Sequence, residues 1–424
     1  MADSKAVQAF LQRHGLDGTG TDPVPELEKL LKEMDEAYHG KDRSVKMIPC
    51  YIEKYRTPKQ ETQVTVVDIG GTNVRSAVVT MGADGSCLIE DRRSFPRPGG
   101  SEPMSTARFF DEIAQGMRGQ LNTEKLGICF SLATIPQPDK DAVIVAGGKQ
   151  IRIHDMLGKK VGASFREAAL RTGAGSAGAV AVVNDTVAAT LGGASFHGKD
   201  DFAEDIGFIY GTGVNICYAE PDGMLVNTEA GAYSGFPAGD LDDAYDSTLI
   251  DPGLDRFEKM VSGGYQGGLA RTIMAAAARE GFLTGKAFEN NKEWENLESR
   301  DISAFCNAPS GGGRIARACA AAADREFLLT LFSALTNRSA RLCGIALTAA
   351  MIRSLGGTDP CAVSRTLPRF HITAEGSTYQ KQHGFAERLD VELKALATQK
   401  YGFHYTIEVV PDAVLRGIAA ACLG

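Results

Sequence analysis

Three short segments carry residues that can handle a phosphate and a proton. The first is VVDIGGTNVR, in which a hydrophobic run ends in Asp68, passes through Gly70, Gly71, Thr72 and Asn73, and enters a second hydrophobic run carrying Arg75. The second is YGTGVN, where Gly211, Thr212 and Gly213 interrupt a similar pair of runs. The third is VVNDTVAA, in which Asn184 and Asp185 leave a hydrophobic run. Glycine has no Cβ, so the amides of a Gly-rich turn can approach an anion closely. Neither turn is a P-loop, because no Lys-Ser/Thr follows. One Gly-Thr turn can be a hairpin and no more. Two of them, each opening a similar unit, would hold a triphosphate between two lobes. Gly70, Gly71, Thr72, Asn73 and Arg75 would lie on one side, and Gly211, Thr212 and Gly213 on the other. Asp68, at a strand end, is placed to hold Mg²⁺ directly or through water.

Asn184 and Asp185 sit at the carboxyl end of a buried strand, where α/β proteins bind ligands. Asp185 has two readings there. It can cap the helix that begins at Thr186, or it can take the proton of a substrate hydroxyl attacking phosphorus. Its company with two phosphate turns favours the base.

The elements that must position these groups follow from periodicity. Residues 1–45 read as helices and 54–63 as a polar linker. From residue 64 the period becomes that of strands: VTVVDIG, NVRSAVVTM and SCLIEDRRSF form a three-stranded antiparallel meander. A helix at 103–120, the strand KLGICFSL, a helix at 156–172, the strand AVAVVNDT and a helix ending at glycines complete a first unit. IGFIYGTGVNICYAE begins a second, followed by a helix-rich region at 252–353, the segment RFHITAEGSTY, a helix at 383–399, the strand YTIEVVP and an Ala-rich C-terminal helix. The predicted class is α/β, a duplicated mixed sheet flanked by helices.

The 424 residues fit a two-lobed protein, and 43% hydrophobic content suffices for a large core. A net charge of −8 without a long basic run argues against nucleic acid or an anionic membrane as partner. No apolar stretch approaches the length of a membrane span, and the N-terminus lacks the apolar core of a signal peptide. Nine scattered cysteines without paired metal spacing read as reduced core residues of a cytoplasmic protein.

Over nearly its whole length the chain resembles the hexokinase family. DIGGTNVR looks like that family's first phosphate segment and GTGVNICY its second. NTEAGAY, DPGLDRFEKMVSGGY, NRSARLCGIALTAA and EGSTY follow in the family's order. The resemblance implies a two-lobed actin-like ATPase (ribonuclease H-like) fold with the active site in the interlobe cleft. It implies a small lobe of 62–184 plus 412–424 and a large lobe of 1–61 plus 185–411. It also implies an ATP- and Mg²⁺-dependent transfer of phosphate to the C6 hydroxyl of glucose or a related hexose. Asp185 would be the base and Lys149 would neutralise charge on the phosphoryl group. Ser131, Lys149, Asn184, Asn215, Glu229 and Glu258 would face the sugar, and Gly376 and Ser377 the adenosine. Three places depart from the family pattern. Ser131-Leu132-Ala133 stands for Ser-Phe-Pro, Gly148 for the Thr before Lys149, and Asp412-Ala413-Val414 for Gly-Ser-Gly. These leave open a kinase for fructose, mannose, an amino sugar or a polyol, and an unusual nucleotide preference. A sugar sensor with little catalysis would not need to keep Asp185, Lys149 and Asp68. An actin-like ATPase would not need Asn215, Glu229 and Glu258. The oligomeric state is not legible.

Overall fold

The computed structural model describes residues 4–18, 20–100, 102–146, 152–176, 178–197, 204–288, 291–357 and 369–423. Two helices open the chain, α1 (Ser4–Arg13) and α2 (Pro23–Tyr38). Asp22 starts the second by accepting from the Val24 amide, and Pro23 follows at the first helical position, where its missing N–H is no loss. The strand β1 (Ile48–Glu53) comes next; the sequence reading had not anticipated it.

The meander forms as expected. β2 (Thr62–Ile69), β3 (Asn73–Met81) and β4 (Cys87–Pro96) pair antiparallel in sequence. Then come α3 (Thr106–Gly116), β5 (Lys125–Phe130), a small hairpin of β6 (Thr134–Pro136) and β7 (Ala142–Ile144), α4 (Val161–Arg171) and β8 (Ala179–Val183). Both helices are shorter than their periodicity suggested. The sheet order is β4-β3-β2-β5-β8, with β5 parallel to β2 and β8 parallel to β5. β2 is buried from Val64 to Ile69 because the sheet is covered on both faces. Val67 and Ile69 join Phe109, Phe110 and Phe165 on one side. Val64 and Val66 join Ile418 and Ala419 on the other.

The second half begins with α5 (Asp185–His197), β9 (Glu204–Tyr210), β10 (Val214–Ala219) and β11 (Met224–Asn227). The helices α6 (Asp240–Asp246), α7 (Arg256–Val261), α8 (Gly263–Arg279), α9 (Ser299–Asn307), α10 (Arg314–Ala318) and α11 (Ala322–Ser354) form the helix-rich region. β12 (Arg369–Glu375), α12 (Ser377–Lys381), α13 (Phe385–Leu393), β13 (His404–Glu408) and α14 (Ala413–Ala421) finish the chain. The predicted helix over 383–399 is corrected: α13 ends at Leu393 and passes into a π-helical stretch, Lys394–Lys400. The second sheet runs β1-β11-β10-β9-β12-β13, so the strand β1 adds an edge to it.

The two sheets meet through α5 and α14. α5 rests on β9, β10 and β12 of the second sheet, and α14 rests on β2, β3 and β5 of the first. α5 is buried on every side from Thr186 to Ser195, as a helix apolar all round must be. The two helices cross where neither has a side chain. A Cβ on Gly192 would lie inside 3.0 Å of the Ala413 carbonyl oxygen, and one on Gly417 inside 3.0 Å of that of Ala188.

Candidate active site

In the first turn, Gly71, Thr72 and Asn73 are exposed, and the Gly70 amide donates to the Asn73 carbonyl at 3.0 Å. The Thr72 carbonyl is held from behind by the Arg97 amide at 2.9 Å. Asp68 and Arg75 are cross-strand partners. That register puts them on one face, where Arg75 donates to Asp68 Oδ2 from Nε at 3.0 Å and Nη2 at 2.6 Å. Arg75 therefore neutralises Asp68 in this structure.

In the second turn the carbonyl edge is tied into the protein. Gly211 accepts from the Gly263 amide at 2.9 Å and from Thr378 Oγ1 at 2.8 Å. Thr212 accepts from the Gly264 amide at 3.0 Å and Ser262 Oγ at 2.8 Å. Thr212 is exposed. Gly376, with φ 116°, lies against this turn, and a Cβ there would come inside 3.0 Å of the Tyr210 carbonyl oxygen. A backbone this strained for any L side chain costs about 1–3 kcal/mol, before the clash is counted. We therefore expect Gly376→Ala to raise the KM for the nucleotide at least tenfold. Steady-state kinetics on a variant shown to be folded by circular dichroism checks this.

Asp185 is the first residue of α5. The Thr186 amide donates to Asn184 Oδ1 at 2.8 Å, so Asn184 performs the capping and Asp185 is not needed for it. Burial, and then the nearby Asp68, hold the Asp185 carboxyl above the usual range. Glu375, last in β12, was not identified from sequence. Its carboxyl is also raised, by burial first; Arg75 works against this, and Asp185 and Asp412 work with it. For Arg75, burial opposes the charge, and Asp68 and Glu375 outweigh it. Asp68 and Glu375 thus share one guanidinium, with Asp185 close enough to feel the charge of Asp68. Glu375 directly precedes Gly376 at a strand end, and that position was the available signal.

Facing this cluster is a cleft of about 460 Å³ with walls from both halves of the fold, within the range of small-molecule sites. Ser131, Leu132, Ala133 and Asn184 line one side, and Asn227, Glu229 and Asp255 the other. Asn215 is buried behind this wall. Its Nδ2 donates to Asn227 Oδ1 at 2.8 Å, and Asn227 Nδ2 donates to Glu229 Oε1 at 2.7 Å. Asn227 lines the cleft, and Asn215, 9% exposed beside it, is joined to it through the first of these bonds. Asn227 and Asp255 lie within the family-like segments, but their roles were not read. Glu229 and Asp255 both take left-handed backbone, φ 48° and 50°. Burial, with Asp185 and Asp255, raises the Glu229 carboxyl against the pull of Asn227. Glu258 accepts from the Val214 amide at 3.1 Å, and a Cβ on Gly213 would meet its Oε2, so it buttresses the second turn. Ser377 lines a second cavity of about 310 Å³ with Ser299, Ser303, Asn307 and Gln382. Gly148 and Lys149 lie outside the described residues. Asp412 and Arg92 form a two-pronged ion pair, at 2.6 and 2.8 Å, at the start of α14.

Two sheets joined by a crossed helix pair, with an acid cluster and two Gly-Thr turns at the junction, define an α/β protein of the two-lobed actin-like ATPase fold. The chain belongs to the hexokinase family, whose two models match residues 21–195 and 205–423. It is 28% identical to human Hexokinase-2 over 393 residues, covering 83% of this chain and 41% of that protein. With the chloroplastic Hexokinase-2 of Nicotiana tabacum it shares 27% over 424 residues, 89% of this chain and 82% of that one. The chain thus spans well under half the length of its mammalian relatives. The structure of Schistosoma mansoni hexokinase complexed with glucose aligns over 100% of both chains, with TM-score 0.78 and 21% identity.

Proposed function

We propose that the chain transfers the γ-phosphoryl group of ATP to the C6 hydroxyl of glucose or a related hexose. One observation carries the reading: Asp185 adjoins Asn184 on the wall of the cleft and interacts with Asp68 beside the first turn and with Glu229 on the opposite wall. Carboxylates and amides bond hydroxyls directionally, so Asn184, Asn227, Glu229 and Asp255 suit a polyhydroxylated ligand. Asp185 would accept the hydroxyl proton as the oxygen attacks. Ser131 and Asn184 would orient the same sugar from the opposite wall, and Asn215 and Glu258 would bond its other hydroxyls.

The residues present fit a nucleotide. Gly376 packs its backbone directly on Tyr210 and Gly211, which brings the second turn beside the cavity that Ser377 lines, and that cavity suits a nucleoside. Both Arg75 bonds go to Asp68 Oδ2, and Asp68 would hold a Mg²⁺ ion, directly or through water. Mg-ATP supplies the phosphoryl group and spreads its charge. The two turns, whose Thr72 and Thr212 are exposed, would receive phosphates, and Lys149 would assist from the segment after β7.

We place the small lobe at 62–184 plus 412–424 and the large lobe in the remainder, supported by sheet membership and the seat of α14. Sugar binding should close the lobes and exclude water. Small-angle scattering should show a lower radius of gyration with sugar; an unchanged radius counts against closure. Cysteine usage supports a cytoplasmic setting. Among the described residues, no helix is long and apolar enough to cross a membrane.

The test is ADP release with Mg-ATP against hexoses, amino sugars and polyols. Turnover dependent on a hexose is expected. Sugar binding without turnover would overturn the reading in favour of a sensor.

A further inference from the structure

The far end of α5 carries a second polar cluster that the reaction does not use. His197 ends the helix, His371 lies on β12, and Glu408 ends β13. A 13-residue helix is about 20 Å long, so this cluster is well away from Asp185 at the other terminus. Register brings its members together. His371 pairs with Asp205 on β9, and Glu408 pairs with Thr373, two residues along β12 on the same face as His371. α5 lies directly on this face, because Gly193 allows it. A Cβ there would come inside 3.0 Å of Thr373 Oγ1. The His197 and His371 ring centroids are consequently only 3.6 Å apart.

We propose that His197, His371 and Glu408 form a binding site for a divalent transition metal, Zn²⁺ being the best match. Both histidine Nε2 atoms converge on one oxygen, Glu408 Oε1, His371 at 3.2 Å and His197 at 3.4 Å. A tetrahedral ion with bonds of about 2.0–2.1 Å requires ligand atoms about 3.3 Å apart; these two separations match that, and all three ligand atoms lie within 4.8 Å of one another. Two imidazoles cannot each share a proton with that one oxygen as well as a metal can serve all three. The other nitrogen of His371 supports the assignment. Its Nδ1 faces Asp205 Oδ1 at 3.3 Å, the kind of carboxylate partner that fixes the ring orientation of a metal-binding histidine. His371 is fully buried, whereas the Glu408 side chain is 41% exposed, which gives an ion a way in and leaves a fourth position for water. The donor set of two histidines and one glutamate suits Zn²⁺ and Co²⁺ over Mg²⁺, which prefers oxygen. The ion would staple α5 to both strands.

The experiment uses the full chain, stripped with a chelator and re-equilibrated with Zn²⁺. Metal content after gel filtration, calorimetric titration and the melting temperature are measured, together with the visible spectrum after Co²⁺ substitution. We expect one tightly held equivalent, a four-coordinate Co²⁺ spectrum, and an upward melting shift that Mg²⁺ does not reproduce. His197→Ala and Glu408→Gln, neither at a fully buried position, should abolish the spectrum and the shift. Asp205→Asn should weaken affinity about 10–100-fold. A folded wild-type chain that retains no Zn²⁺ overturns the proposal. So does retention undiminished in both His197→Ala and Glu408→Gln, which would place the ion elsewhere.

Discussion

Asp185→Asn is expected to lower kcat by about 10²–10⁴-fold and at the same time to raise the melting temperature. The two effects have one cause. Burial and the neighbouring Asp68 hold the Asp185 carboxyl above its unfolded value. A carboxyl whose pKa rises on folding contributes its stability at low pH, where it is protonated, and that contribution is lost as pH rises through the folded pKa. Near neutrality the ionised group is therefore a burden on the fold. Asparagine keeps the shape and removes the charge, so the fold gains while the base is lost. The same shift sets the pH profile: kcat/KM should fall as pH drops through the raised pKa, because only the carboxylate can take the proton. Steady-state kinetics across pH and a thermal melt of both proteins check the pair of outcomes. Unchanged turnover would remove Asp185 from the reaction, and a lower melting temperature would contradict the electrostatic account.

The largest expected loss of stability comes from Arg338→Met. Arg338 lies within α11 and Asp242 within α6, and each side chain is 2% exposed. The guanidinium donates to both Asp242 oxygens, at 2.7 and 2.9 Å, and to the Gly15 carbonyl at 3.3 Å. Asp242 also accepts from the Gly239 amide at 2.8 Å and so starts its own helix. Removing the cation leaves a buried carboxylate without its partner, which costs about 3–5 kcal/mol. The double change Arg338→Met with Asp242→Leu should recover most of this, since an apolar pair of similar volume is often no less stable than a buried ion pair. The cap would still be missing, worth about 1 kcal/mol. Denaturant melts of the single and double variants measure both quantities. A single-variant loss below about 1 kcal/mol would mean that water reaches Asp242.

Much of the fold was legible because it is written in local patterns. The continuous apolar run of β2 and the Gly-containing turns announced the meander, and the apolar run at Ala179–Val183 announced a strand ending at Asn184. β1 was not legible. Its residues fall between the helical region and the polar linker without a pattern of their own, and what makes IPCYIE a strand is pairing with β11, far along the chain. The π-helical stretch after Leu393 likewise has no local signature. At the site, Asp68, Asp185 and both turns stood out because their chemistry sits at strand ends. Glu375 did not, because its significance lies in sharing Arg75 with Asp68 across two different sheets. Asn227 was missed for a similar reason. Its role depends on a relay through Asn215 and Glu229 that sequence spacing alone does not show.

The glycine crossing of α5 and α14 bears on how such a molecule would move. Helices that mesh ridge into groove can shift only in steps, each lifting side chains over their neighbours. Where Gly192 faces Ala413 and Gly417 faces Ala188, backbone meets backbone and there is nothing to lift. Such a junction should behave as a smooth bearing, not a ratchet, with rotation about it graded and the resting angle set by what occupies the space between the halves. A methyl group at either glycine would act as a wedge in the bearing, jamming the joint open by an amount that grows with the size of the side chain.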